Sequence, residues 1–429
     1  MRKGFLLAVW LLALALCTTA SPFLHGPYCG APSAEGVTVS WRSQAPMAAR
    51  VEYGLRETYE SSGELPFSID VPSPEDLEDP ETMHVVLEGL NPEAAYVYRV
   101  VLASEESESK SPIGMFVTEP AAGEPVAFVV LADTQQQLEG VNRLQLVGDA
   151  IAADDLAFDF ILHAGDVVES PVGPYWDDWF ASFDGMLLRA PFIPVLGNHE
   201  RNDRSYYETF NLPPGEGLHG ERWWAFHWGD VVVVGLDTNV RKPADYYAQQ
   251  AWAAEHLAGP EPHKFVIFHH PVFSSDEYYG TGYQYDKIYH PIFVEHGVDI
   301  VFNGHSHHYE HIVRDGVTYL VVGGGGATPR HTTPVHIQGS DVSIENHFFY
   351  VRVETSRDAI DATCVSVAEE VGGAPLMTSG LVMDQFTLPA EFASERATTV
   401  SIDSPIWMWI ALGVAGAALA VLLLRGLSR

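Results

Sequence analysis

The chain has 429 residues, 47% of them apolar and 11% aromatic. That length exceeds one compact domain, and that composition excludes a chain without a core. The formal charge is −34, with 57 acidic residues against 23 lysines and arginines, a surface that repels nucleic acid and excludes a nucleic-acid partner. Any anionic ligand must then meet a local cationic centre strong enough to overcome the global field, and bound metal ions would supply one.

In chain order, Met1-Arg2-Lys3 precedes an apolar run from Phe5 to Leu16 and the small residues Thr18-Thr19-Ala20. Residues 1–20 read as a secretory signal peptide, since the run is short for crossing a bilayer. A lipoprotein reading through Cys17 is weaker, because Leu16 is bulky where a small residue is wanted. After cleavage only Cys29 and Cys364 remain. An oxidising compartment would permit a bridge between them, although two cysteines do not prove a pair. No CxxC occurs, so a cysteine-based metal site is not expected.

Residues 26–119 read as all-β. Val37 to Trp41 alternates apolar and polar, Arg50 to Gly54 and His84 to Leu87 are further short strands, Gly89-Leu90-Asn91-Pro92 is a turn, and Tyr96 to Val101 follows as a strand. Short strands separated by turns predict a β-sandwich. Trp41, the Leu-Asn-Pro turn and the Tyr-x-Tyr-Arg strand together resemble a fibronectin type III module. Glu119 to Glu124 reads as a linker.

Residues 126–388 change period. Buried strands are expected at Val126–Leu131, 158–164, 192–196, 231–236, 264–268, 298–302 and 317–322, with helices at 140–153, 174–188 and 244–257. Strands alternating with helices predict an α/β layered core. Gly323 to Gly326 reads as a tight turn, and Trp223 and Trp224 as the core of a strand pair. The signal fades after Val353, with one last strand from Gly380 to Leu388. Residues 389–405 read as a polar stalk. Residues 406–424 carry no charge, hold Trp407 and Trp409 at one end, are followed by Arg425 and Arg429, and read as a transmembrane helix with the folded part outside or as a C-terminal sorting signal that is later removed.

Polar residues directly after buried parallel strands point into the crevice where open α/β sheets bind ligands. Asp133, Asp166, Asn198, His269 and the pair His305 and His307 all stand there. Singly, each has a structural explanation as a cap or turn residue. Together they are the donor set that holds two hard or borderline cations, and two such cations clamp a phosphoryl group and activate water.

Asp133, Gly165-Asp166, Gly197-Asn198-His199-Glu200, Val266-Ile267-Phe268-His269 and Gly304-His305-Ser306-His307 resemble the five ordered blocks of the calcineurin-like metallophosphoesterases. With the preceding β-module, they are most similar to the purple acid phosphatase branch. The resemblance implies a phosphoric ester hydrolase with two divalent or trivalent ions drawn from Fe, Zn or Mn. It implies Asp133 and His307 on the first ion, Asn198, His269 and His305 on the second, and Asp166 bridging. It implies His199 beside a small phosphate-ester substrate, donating to the phosphate or the leaving oxygen, and in-line attack by a metal-bound hydroxide.

Two positions depart from that pattern. The tyrosine that colours purple acid phosphatases, three residues after the bridging Asp, is Glu169 here, and the histidine of other branches, two residues after the first Asp, is Gln135. Glu169 is expected to orient His199, as an acidic residue at that offset does in serine/threonine phosphatases. Gln135 either offers its amide oxygen to the first ion or bonds to a loop. Tyr278, Tyr279, Tyr283 and Tyr285 line a substrate mouth or are packed aromatics; His270 is expected to point away, and His308 and His311 are not expected to serve. The readings kept open are a phosphatase, a nucleotidase or cyclic-nucleotide diesterase on the same scaffold, and a non-catalytic surface adhesion protein.

Overall fold

The structure, a computed structural model, describes residues 21–73, 81–104, 107–137, 140, 142–240, 242–280 and 284–389. The expected signal peptide and transmembrane run, and the expected stalk beyond Pro389, fall outside the described residues. Among the described residues no helix is long and apolar enough to cross a membrane.

The N-terminal part is built from two antiparallel sheets. Phe23–Gly30, Gly36–Ser43 and Thr82–Glu88 form one. Phe67–Val71, Ala48–Leu55, Ala95–Ala103, Glu108–Lys110 and Gly114–Val117 form the other. Alternation explains the packing: Val37, Val39 and Trp41 face inward to meet Val51, Tyr98 and Val100. The intervening residues face the rest of the chain. Thr38 Oγ1 bonds Asn211 Oδ1 at 2.8 Å, and the Tyr28 hydroxyl donates to the Thr209 carbonyl. A helix unforeseen in the sequence, Arg56–Ser62, interrupts the β pattern and ends where Gly63 takes a φ of 74°.

The second part holds two larger sheets. One runs Phe192–Pro194, Phe160–His163, Val126–Leu131, His347–Thr355, Ala359–Val371, Ala374–Pro389, with its first three strands parallel. The other has eight strands, of which Val231–Gly235, His263–Phe268, Ile300–Asn303 and Val317–Val322 are parallel. The sheets pack face to face through Phe128 against Phe265 and Phe302, and Phe160 against Phe226 and Trp228. Helices Arg143–Ala152 and Gly173–Leu187 cover the first sheet, and Pro243–Leu257 and His290–Glu295 the second. Every strand between the helices is buried on both faces, which is why it reads as a plain apolar run.

Three expectations change. The fading signal after Val353 conceals a long hairpin, Ala359–Val371 paired with Ala374–Pro389, so Pro389 ends a strand rather than starting a stalk. Cys29 and Cys364 are free and buried in separate cores, the first in the N-terminal sandwich and the second in the main one. The glycine run is more than a turn: a Cβ on Gly323 would lie 2.2 Å from the Ser306 carbonyl and 3.0 Å from Asp133 Oδ2, so the bare backbone is what lets this segment approach the Asp133 loop.

Candidate active site

The carboxyl ends of the parallel strands in both sheets meet at one place. Asp133 follows Val126–Leu131, Asp166 follows Phe160–His163, and Asn198 follows Phe192–Pro194. From the other sheet, His269 follows His263–Phe268, while His305 and His307 follow Ile300–Asn303. Asp133, Asp166 and His305 have φ of 57°, 55° and 68°, the left-handed region that side chains rarely adopt. Three such residues where the strand ends of the two sheets meet store local strain, and there the chain must turn sharply to aim its donors inward.

The donors converge. His269 Nε2 lies 3.1 Å from Asp166 Oδ2, 3.1 Å from Asn198 Oδ1 and 3.2 Å from His305 Nδ1. His307 Nε2 lies 3.4 Å from Asp133 Oδ1 and 3.2 Å from Gln135 Nε2, which in turn is 3.4 Å from Asp166 Oδ2. Ligand atoms of Asp133, Asp166 and His269 fall within 4.8 Å of one another.

These contacts fit cations. His269 Nδ1 donates to the Ala164 carbonyl at 2.9 Å and His307 Nδ1 to the Thr328 carbonyl at 2.8 Å. Each bond fixes the tautomer and aims the Nε2 lone pair inward, that of His307 beside Gln135 Nε2 and that of His269 at the Asp166 and Asn198 oxygens, which are themselves acceptors. Without an ion only a proton can occupy that point. Burial acts to lower the His269 imidazole, but the Asp166 carboxylate outweighs it and pushes the pKa up to about 9. Burial likewise acts to raise Asp166, and its His269 contact holds it below the carboxylate range instead. Gln135 Oε1 is buried with no hydrogen-bond partner among the described residues, which favours the reading in which it serves the first ion.

His199 sits at the rim. Its backbone N–H donates to Asp166 Oδ1 at 2.8 Å, and its Nε2 is 3.9 Å from Asp166 Oδ2. Its Nδ1 donates to the Glu169 backbone carbonyl at 2.8 Å, while the Glu169 carboxylate stands farther off at 3.7 Å. The expected orienting residue is therefore the right one, but the main-chain oxygen makes the bond. Burial lowers the His199 pKa, and Asp166 with the Glu169 carbonyl raises it further than burial lowers it.

Other residues fall partly as expected and partly not. His270 does not point clear of the site: its Nδ1 bonds Thr238 Oγ1 at 2.7 Å, its ring lies 4.5 Å from that of His305, and a ligand atom of it clusters with those of His269 and His305. Burial and the neighbouring His269 push it down to about 3. Tyr279 packs edge-on against His305 at 4.4 Å, whereas Tyr278 is 77% exposed and Tyr285 is in the core. Tyr283 lies outside the described residues. His308 pairs with Glu310 and His311 with Asp384, both away from the donors. Trp223 and Trp224 are core residues of an antiparallel pair.

Sequence reasoning quoted Glu200 without giving it work. Its buried carboxylate accepts the backbone N–H groups of Asp166, Val168 and Gly197 at 3.1, 3.1 and 2.8 Å, tying two strand-end loops together. Burial, with Asp166 beside it, pushes its pKa up to about 7. Glu200 was invisible as a brace because its partners are backbone groups.

Comparison with known proteins agrees with this geometry. Residues 126–309 match the family model described as calcineurin-like phosphoesterase. Purple acid phosphatase 21 of Arabidopsis thaliana is 27% identical over 266 residues, covering 57% of this chain and 58% of the relative. Purple acid phosphatase 1 of Ipomoea batatas is 26% identical, covering 60% and 58%. The chain thus spans under three-fifths of the length of these curated relatives. Among solved structures, purple acid phosphatase PPD1 from yellow lupin (Lupinus luteus) superposes with a TM-score of 0.71 at 19% identity, covering 89% of this chain and 77% of that one. PhoD superposes at 0.65 with 13% identity, covering 88% and 92%. Residues 126–309 thus form a calcineurin-like phosphoesterase domain, and the chain has purple acid phosphatase homologues over part of its length.

Proposed function

We propose that this protein is an extracytoplasmic phosphoesterase that works with two metal ions. Asp133, Gln135 and His307 would hold one ion, Asn198, His269 and His305 would hold the other, and Asp166 would serve both. The observation that carries the reading is the inward-facing Nε2 of His269, whose Nδ1 is committed to a backbone carbonyl and whose neighbours are Asp166 and Asn198 oxygens. When bound, the two ions would neutralise phosphoryl oxygens and make an attacking water acidic enough to ionise at mild pH. The protein does the rest. His199, held by the Glu169 carbonyl, presents Nε2 toward the site and gives its proton to the departing oxygen. Glu200 keeps the Asp166 and Gly197 loops in register.

With Glu169 in the place of a tyrosinate ligand the loaded enzyme is not purple, and a tyrosinate-to-ferric absorption band would refute that. The extracytoplasmic location is supported by the run Phe5 to Leu16, and membrane attachment by the uncharged segment 406–424. The N-terminal sandwich is taken as a fibronectin type III-like module on its strand pattern.

The deciding experiment measures bound metal and hydrolysis of 4-nitrophenyl phosphate by the purified protein and by Asp166→Asn. The proposal expects more than one equivalent of transition metal in the wild type, and loss of both metal and turnover in the variant. A metal-free, inactive wild type, or a variant of near-full activity, overturns it.

A further inference from the structure

We propose that Arg330 makes the site selective for phosphomonoesters, the dianionic class of substrate, over diesters. This rests on the phosphoesterase reading above.

Arg330 lies on the segment that follows the strand Val317–Val322. Its backbone N–H donates to the His307 carbonyl at 3.0 Å, and its guanidinium donates to the His305 carbonyl at 3.4 Å. The guanidinium carbon stands 4.3 Å from the centre of the Tyr279 ring, and that ring packs 4.4 Å from His305. The charge is thus held between an aromatic face and the backbone carbonyl of one donor residue, His305, half-buried at the rim of the site, with its own backbone tied to His307.

What the charge is not used for is equally telling. The chain has 57 acidic residues, and Arg50, Arg99, Arg143, Arg222 and Arg352 all pair with carboxylates. Arg330 has no carboxylate partner among the described residues. In so acidic a protein, a positioned guanidinium left without an acid beside it keeps its full charge for an anionic ligand. A fork of N–H donors of this kind matches phosphate oxygens geometrically as well as electrostatically.

A phosphomonoester near neutral pH carries close to two negative charges, since its second pKa is about 6. It presents three non-bridging oxygens. A diester carries one charge and two such oxygens. Two metal ions can satisfy a diester. The added guanidinium has a partner only in the third oxygen and second charge of a monoester. Discrimination therefore comes from Arg330 rather than from the ions.

The test compares kcat/KM for 4-nitrophenyl phosphate and bis(4-nitrophenyl) phosphate in the wild type, Arg330→Gln and Arg330→Lys, with bound metal measured in each. The wild type should favour the monoester. Arg330→Gln should lower the monoester value by about 10- to 100-fold, the worth of one charge-assisted hydrogen bond, and the diester value by less than about fivefold. Arg330→Lys should recover part of the monoester loss, and metal content should stay at the wild-type level. A wild type that prefers the diester, a proportional fall in both activities, or loss of metal in Arg330→Gln each overturns the proposal. If the variants do not fold, inhibition of the wild type decides: orthophosphate should bind at least about tenfold more tightly than dimethyl phosphate, and equal inhibition refutes the role of charge. A wild type inactive on both esters would instead refute the phosphoesterase reading itself.

Discussion

Replacing Gly197 with alanine tests how closely the two strand-end loops of the first sheet must approach. The added Cβ would lie 2.0 Å from the Asp166 backbone nitrogen, 2.1 Å from its Oδ1 and 2.8 Å from its Cα. Ordinary contact starts near 3.4 Å, so the loops must part by about 1.4 Å. Neither can yield cheaply, because Asp166 N and Gly197 N both donate to Glu200 Oε2 and Asp166 Oδ1 accepts the His199 N–H. Overpacking of this kind costs about 1–3 kcal/mol, which a domain of this size tolerates. The site does not tolerate it, since metal–ligand distances allow only about 0.2 Å and a misplacement of about 1 Å costs about 100-fold in rate. Activity against 4-nitrophenyl phosphate and metal content should be measured for Gly197→Ala beside Gly173→Ala. The latter adds a methyl at the first residue of helix Gly173–Leu187, with nothing within 4 Å. The first variant should lose about 100-fold or more and bind less metal, while the second stays near wild type. A Gly197→Ala enzyme with full metal and activity within about threefold of wild type would refute the argument that this contact sets the donor geometry.

His199→Ala should keep its metal and lose about 100-fold or more in kcat, the usual worth of a positioned proton donor, and an unchanged kcat in stopped assays would remove His199 from the chemistry. Gln135→Ala removes a buried amide oxygen that has no partner among the described residues, and chelator titration should show one of two ions weakened by about 10- to 100-fold while the other is held as before. Glu310 is a stability prediction: burial raises its carboxyl, but the bonds from His308 and Ser275 overcome that and lower it from 4.5 to about 2. A depressed carboxyl stabilises the fold above its unfolded value and loses that contribution as pH falls from about 4.5 toward 2, an amount on the order of 3 kcal/mol. Urea unfolding of wild type and Glu310→Gln should therefore differ most at about pH 6 and converge toward about pH 2, and a gap that stays constant would refute the linkage.

The parallel strands were legible because both their faces are buried, so each is an uninterrupted apolar run such as Val126–Leu131 that stops at a polar residue. The strand-end donors were legible for the same reason. What the sequence hid has a physical cause in each case. The hairpin from Ala359 to Pro389 escaped because its outer strand leaves Leu376, Met377, Leu381 and Val382 exposed and its register shifts twice, so neither face shows a clean period of two. The roles of Glu200 and of the Glu169 carbonyl escaped because backbone atoms carry no sequence identity. Arg330 escaped because it lies 51 positions from Tyr279 and 25 from His305 in the chain, with no motif to mark it.

The N-terminal sandwich also acquires a reason in the folded chain that its pattern alone did not supply. One face of its three-stranded sheet forms the sandwich core, and the other face lies against the segment just after the Asn198-His199-Glu200 turn. Thr38 bonds Asn211, Tyr28 bonds the Thr209 carbonyl, and His84 bonds the Glu208 carbonyl. Those carbonyls belong to the last turn of the short helix Arg204–Thr209, where intrahelical partners run out. A helix of six residues is too short to hold itself in place, so the sandwich satisfies its end and fixes where it sits. Tyr206 on that helix donates to the Pro194 carbonyl, the last residue of the strand that leads to Gly197 and Asn198. The N-terminal module therefore acts on the site from behind, as a brace for the loop that carries Asn198 and His199, and not as a spacer alone.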